Sequence, residues 1–125
     1  MNYHSTDKAP KAIGPYSQAV SVGATHYLSG QTPIDPATGK LVEGGFDASA
    51  RQVFENLGAV LAAAGLSFRN VVKASVFLID FADFQAMNAI YAEYFGDHKP
   101  ARSTIQVAKL PLGAPIEIDF IAVKE

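Results

Sequence analysis

Between Val71 and Ile79 the chain runs Val-Val-Lys-Ala-Ser-Val-Phe-Leu-Ile, and the second half of that run has no polar alternate. Neighbouring side chains of a strand point to opposite faces, so Val76 and Leu78 line one face and Phe77 and Ile79 the other. A strand apolar on both faces has to be covered twice. One layer of helices covers one face, and something else must cover the second. An obligate oligomer does this by packing sheet against sheet; a monomer does it only if its sheet curls on itself.

The flanking sequence supplies the helical layer. Val53, Phe54, Leu57, Val60, Leu61 and Ala64 fall on one stripe of a helix. Asp47 is its expected N-cap and Gly65 its stop, with Leu66 placed for a Schellman contact. Asp80 caps a second expected helix that runs to Phe95 and ends at Gly96, with Phe84, Met87, Tyr91, Tyr94 and Phe95 as its stripe. Strands are expected at Tyr16 to Val22, His26 to Ser29, Val71 to Ile79, Arg102 to Lys109 and Pro115 to Lys124. The segment from Pro33 to Gly39 reads as a loop, because its two prolines cannot sit inside a ladder. The order ββαβαββ gives an α+β fold, a mixed, mostly antiparallel sheet with both helices on one face. No repeat or linker divides the 125 residues, so residues 1–125 form one domain.

Composition narrows the function. Hydrophobic residues make up 49% and charged residues 18%, enough for a real core and too few charges for a solvated rod. Ten Lys and Arg against twelve Asp and Glu leave a net charge of −2, and no basic stripe exists to hold a phosphate backbone. Nucleic acid is not an expected partner. Without cysteine the chain has no disulfide, thiolate nucleophile or iron–sulfur ligand. The N-terminus lacks the apolar core of a secretory signal, and no apolar run approaches the ~20 residues that cross a bilayer. The expected setting is cytoplasmic, away from membranes. His4, His26 and His98 are scattered without metal-ligand spacing, so no metal is expected. Neither a Gly-x-Ser-x-Gly elbow nor a phosphate loop occurs, and nothing calls for an organic cofactor.

Four polar residues stand out. Arg102 opens a strand after Lys99-Pro100-Ala101, where a two-pronged guanidinium suits a carboxylate ligand; a surface salt bridge is the competing reading. Glu117 and Asp119 share one face of the last strand, leading into Ile121 and Val123. They mark either a polar pocket or a solvated strand end. Asn88 interrupts an aromatic stripe, so its amide must find partners in the core or on a ligand.

Four linear strings add a resemblance. Ala12-Ile13-Gly14-Pro15-Tyr16-Ser17-Gln18-Ala19, Ser29-Gly30-Gln31-Thr32-Pro33, Pro100-Ala101-Arg102-Ser103 and Ile116-Glu117-Ile118 resemble, in order, the RidA/YjgF family of reactive intermediate deaminases. The match extends from about Lys8 to Val123. It implies a fold like chorismate mutase of the bacterial trimeric type, assembled as a homotrimer with clefts between subunits. By this resemblance Arg102 clamps a substrate carboxylate and Glu117 positions a water, making these two the catalytic pair. Tyr16 and Asn88 line the cleft, and Ser29, Gly30 and the backbone near Thr104 contact ligand or water.

The implied reaction is hydrolytic deamination of enamine and imine intermediates, 2-aminoacrylate with its tautomer 2-iminopropanoate and 2-iminobutyrate, to 2-keto acids and ammonia. No cofactor is implied. The alternative is a trimer that binds small 2-keto or carboxylic acids without turnover. Ribonuclease activity and translation inhibition, attached to the family in names, find little support in a pI near 5.9. Two positions depart from the family pattern. Thr104 stands where some bacterial members carry Cys, and Ser49 replaces a Gln common near the first helix start.

Overall fold

The helices begin and end on local chemistry. In the computed structural model, which describes all 125 residues, α1 spans Gly45–Ala63 and α2 spans Phe84–Phe95. At the end of α1 the Leu66 amide donates to the Leu61 carbonyl (2.9 Å) and the Gly65 amide to that of Ala62 (2.9 Å). With Gly65 at φ 75° this is the Schellman arrangement expected from the sequence. The start differs from expectation. Gly44, at φ 114°, is the N-cap, and Asp47 lies inside the first turn, where its charge still complements the helix dipole. Ser49, also inside α1, is buried and packs without capping. Asp80 caps a short 3₁₀ turn, Phe81–Asp83, by accepting the Ala82 amide (2.8 Å), and α2 follows directly.

Eight strands accompany them: β1 Asn2–His4, β2 Ala19–Val22, β3 Thr25–Gln31, β4 Ile34–Asp35, β5 Lys40–Leu41, β6 Val71–Leu78, β7 Ala101–Gln106 and β8 Ile116–Val123. Six form the main sheet in the order β1-β2-β3-β8-β6-β7. Only β6 and β7 pair in parallel, joined through α2; the other pairings are antiparallel. The ββαβαββ order therefore holds, with an extra N-terminal strand and a small β4–β5 hairpin added.

Two local readings need correction. Tyr16, Ser17 and Gln18 precede the strand because the buried Gln18 side chain is occupied with the N-terminal segment. It accepts the Thr6 amide (2.7 Å) and donates to the carbonyls of Thr6 (3.1 Å) and Pro10 (2.7 Å). The segment from Pro33 to Gly39 is not all loop. Pro33 and Pro36 sit outside the two-residue strand β4, which leaves Ile34 and Asp35 free to pair with Leu41 and Lys40.

The sheet's two faces differ sharply. Toward the helices, Leu28, Ala74, Val76, Leu78, Ile116, Ile118, Phe120 and Ala122 are buried. They meet Val53, Phe54, Leu57, Val60 and Leu61 from α1, and Met87, Ile90 and Phe95 from α2, in one core. Each large aliphatic or aromatic side chain there contributes about 1.5–3 kcal/mol by leaving water. The opposite face carries Tyr27, Phe77, Ile105 and Ile121 among polar neighbours, and Tyr27 and Ile105 remain 48% and 49% exposed. The edge strands β1 and β7 do not pair with each other, so the sheet does not curl closed. One chain covers the second apolar face of β6 only in part, leaving Phe77 and Ile79 between buried and exposed.

Asn56 ties α1 to the β4 segment. Fully buried, its Nδ2 donates to the carbonyls of Thr32 (3.2 Å) and Ile34 (2.9 Å), and its Oδ1 accepts from Gln52 (2.9 Å). Removing this amide strands two carbonyls at once. Asn56→Leu is expected to lower the unfolding free energy by about 2–4 kcal/mol, measured by urea denaturation. A loss below about 0.5 kcal/mol would show that the amide does not hold this junction.

Candidate functional site

Arg102 is the second residue of β7, paired with Ala74 of β6, and so it faces the helices. Phe84, Asn88 and Tyr91, at i, i+4 and i+7 of α2, form one stripe of that helix. The Arg102 Nη1 donates to Asn88 Oδ1 at 2.8 Å. Its guanidinium carbon lies 4.8 Å from the centre of the Tyr91 ring and 5.8 Å from that of Phe84. The aromatic face attracts the cation and the amide fixes its rotation. The chain's two ion pairs, Arg51–Glu93 and Arg69–Asp97, leave Arg102 out. The competing reading as a surface salt bridge therefore fails. Arg102 holds a held, unneutralised charge with N–H groups to spare.

Beyond it lies a depression of about 460 Å³ lined by Tyr91, His98, Lys99, Pro100 and Arg102. Thr104 follows two residues later on the same face. Its Oγ1 and the Tyr91 hydroxyl are both buried without a hydrogen-bond partner. Burial raises the Tyr91 phenol pKa, and the nearby Arg102 charge pulls it back.

Glu117 sits elsewhere. On β8 it pairs with Phe77, on the sheet face away from the helices. The β3–β8 register breaks between Leu28 and Gln31, and Gly30 lies in that irregularity. A methyl group at position 30 would overlap the Glu117 carboxylate, so glycine is what allows the carboxylate to lie against the strand. Ser29 points backward. Its hydroxyl donates to the Ser17 carbonyl (2.6 Å) and its amide to that of Gln18 (2.9 Å), fixing the segment that carries Tyr16. Tyr16, Gly30 and Glu117 then share a pocket of about 270 Å³ with Pro10, Ile13 and Leu112. Burial raises the Glu117 pKa above the usual carboxylate range, and Asp119 on the same face raises it further. Burial likewise raises Asp119, opposed by a hydrogen bond from Ser75 and the charge of Lys73.

The seven positions named from the sequence thus form two groups. Asn88, Arg102 and Thr104 gather on the helix side of β7. Tyr16, Ser29 and Gly30 gather with Glu117 on the far side of β8. One chain does not bring Arg102 and Glu117 together. Sequence reasoning placed Phe84 and Tyr91 in the core and missed their hold on the guanidinium; the available signal was their spacing of four and three residues from Asn88. It also missed Ile13 and Leu112 beside the Glu117 pocket. No group of three or more His, Asp or Glu side chains converges anywhere, and neither helix is long and apolar enough to cross a membrane.

Comparison with known proteins identifies the family. The family described as endoribonuclease L-PSP matches residues 6–124. A 2-iminobutanoate/2-iminopropanoate deaminase of Capra hircus is 55% identical over 120 residues, covering 96% of this chain and 88% of that protein. The crystal structure of RidA from the Antarctic bacterium Psychrobacter sp. superimposes with a TM-score of 0.96 at 48% identity, covering 99% of this chain and 100% of that one. That of E. coli TdcF with bound serine gives 0.95 at 40% identity, covering both chains completely. With a family match over nearly its whole length and relatives above half identical, the chain belongs to the RidA/YjgF family and has its chorismate-mutase-like α+β fold.

Proposed function

We propose that this protein hydrolyses 2-imino acids to 2-keto acids and ammonia, in sites formed between copies of itself. The observation that carries the reading is the pair of half-sites: an unneutralised, aromatic-braced guanidinium on one sheet face and a carboxylate of raised pKa on the other. Relatives named as 2-iminobutanoate/2-iminopropanoate deaminases support the activity, and a relative crystallised with serine supports an amino-acid-sized ligand. A net charge of −2 gives RNA little to hold, which weighs against reading the family description as this chain's activity.

The chemistry asks little of the protein. Arg102 takes the substrate carboxylate through two parallel hydrogen bonds and fixes the imine carbon in place. Water adds to the carbon of the protonated imine while Glu117 accepts one of its protons, giving a carbinolamine. Glu117 returns that proton to the nitrogen, and takes the carbinol O–H proton as the C–N bond breaks and the carbonyl forms. One imine and one water give one keto acid and one ammonia. A carboxyl group whose pKa is raised by burial suits a role that both takes and returns a proton. Tyr16 and Asn88 shape the cleft, Ser29 fixes the Tyr16 segment, and Gly30 gives the reacting atoms access to Glu117. The Thr104 backbone supplies a polar contact that needs no thiol.

The partly covered sheet face, with Tyr27 and Ile105 about half exposed, provides the association. We read the assembly as a homotrimer of roughly 40 kDa, three chains of 13.3 kDa, its open faces packed together. Light scattering at micromolar concentration is expected to give that mass; a monomer would overturn the shared site.

Arg102→Ala removes two charge-assisted bonds, together worth about 3–5 kcal/mol, and is expected to lower kcat/KM by about a hundredfold to several thousandfold. Arg102→Lys is expected to recover little of this, because an ammonium lacks the fork. Imine hydrolysis measured beside the thermal melt and solution mass tests it. A trimeric Arg102→Ala variant within threefold of the wild-type rate would refute the carboxylate clamp. If the wild type binds keto acids but accelerates no imine hydrolysis, the protein is a carboxylic-acid-binding trimer.

Glu117→Gln separates chemistry from stability. A carboxyl whose folded pKa is raised favours folding below its unfolded pKa, and that contribution is lost as pH rises through the folded value. At neutral pH the ionised Glu117 therefore opposes folding. The variant is expected to melt at a higher temperature at pH 7, to keep keto-acid binding and to turn over more slowly. Wild-type turnover would remove Glu117 from the mechanism.

A further inference from the structure

Leu112 is the only residue other than glycine with a positive φ, at 60°, in the turn Pro111–Gly113. A bulky side chain is strained there, and glycine stands immediately beside it, where the same backbone would be free of strain. The strain holds an apolar side chain in an exposed place. Leu112 is 64% exposed and Ile13 is 84% exposed. Far apart in sequence, the two converge on the mouth of the pocket that has Gly30 and Glu117 among its walls. Backbone strain of this kind persists where the surrounding structure fixes it. The amides of Gly113 and Ala114 do so here by donating to the carbonyls of Leu110 (3.2 Å) and Pro111 (3.0 Å).

We infer that Leu112 and Ile13 form an apolar collar that selects 2-imino acids with extended or branched aliphatic side chains over those with a methyl group or a charge. The inference rests on the imine-hydrolysis reading and adds the substrate class. A pocket of about 270 Å³ offers more room than a methyl side chain fills. An aliphatic side chain leaving the reaction centre meets the collar and loses water contact against it. A second carboxylate on the substrate would lose hydration at the same collar and face the negative charge of Glu117. Lys11 also borders the pocket but is exposed, and its long stem leaves the ammonium hydrated in solvent.

The test compares imines generated in situ from leucine, alanine and glutamate by an amino-acid oxidase. Wild type is expected to favour the leucine-derived imine over the alanine-derived one by about tenfold in kcat/KM, with the glutamate-derived imine lowest. Leu112→Asn tolerates the left-handed backbone, and Leu112→Gly relieves its strain; both are expected to reduce the leucine-to-alanine ratio by about tenfold. Their melting temperatures and solution masses, measured alongside, are expected to stay at or above wild type. A ratio within twofold of wild type in both variants would overturn the collar, and so would a fall in solution mass, which would place Leu112 in a subunit contact. Should wild type hydrolyse none of the imines, the activity reading fails separately. The collar is then decided by the same ratio read as Kd for 4-methyl-2-oxopentanoate against pyruvate.

Discussion

Alternation along the central strands governs everything else in this molecule. On β8 the side chains of Ile116, Ile118, Phe120 and Ala122 enter the helix-covered core, which forces Glu117 and Asp119 to the other side. On β7 the same period, transmitted through the parallel pairing of Ala74 with Arg102, sends the guanidinium toward α2. A slip of one residue in either ladder would exchange the faces and bury Glu117 among Leu and Phe side chains. The buried core thus fixes the register, and the register fixes the separation of the two chemical groups. Neither group can cross the sheet. A site that needs both has to be completed by another copy.

Each of the two polar groups is held by side chains whose arrangement costs stability. Glu117 and Asp119 lie on one face with raised pKa values, so their charged forms oppose folding at neutral pH. The hydroxyls of Tyr91 and Thr104 are buried without partners beside Arg102. Leaving such a group unpaired costs about 1–3 kcal/mol. The core that offsets this is built on the Phe54, Phe68, Phe95 and Phe120 rings, which meet largely edge to face at 5.3–6.4 Å. Arg102 joins the edge of that aromatic cluster through Tyr91, whose ring stacks on Phe95 at 4.4 Å. The guanidinium is therefore braced by the same side chains that stabilise the fold.

Much of this architecture was legible in the sequence because periodicity is a local signal. The stripe from Val53 to Leu61, the Gly65-Leu66 stop and the two-sided apolar end of β6 each depend on a few neighbouring residues. The strand starting at Ala19 was read three residues too early because Gln18 satisfies carbonyls eight to twelve positions away, a contact no local pattern reveals. β1 was missed for a similar reason. Asn2-Tyr3-His4 has no alternation of its own, and it is held by pairing with β2 and by the bond between His4 Nε2 and the Ser21 hydroxyl at 2.9 Å. The candidate residues could be named from the sequence, but their arrangement in space could not. Strand phase across three ladders decides that Arg102 and Glu117 face apart, and no single segment carries that phase.

The central claim is that Arg102 of one copy works with Glu117 of another, and mixing two impaired variants tests it most directly. Arg102→Ala and Glu117→Gln chains, dissociated and reassembled together in equal amounts, place an intact Arg102 beside an intact Glu117 in about a quarter of the shared sites. The account predicts imine hydrolysis approaching a quarter of the wild-type rate, above the average of the two parent variants measured separately. Mixed assemblies, verified by mass, whose rate does not exceed the average of their parents would show that both residues must come from one chain, and would contradict the account.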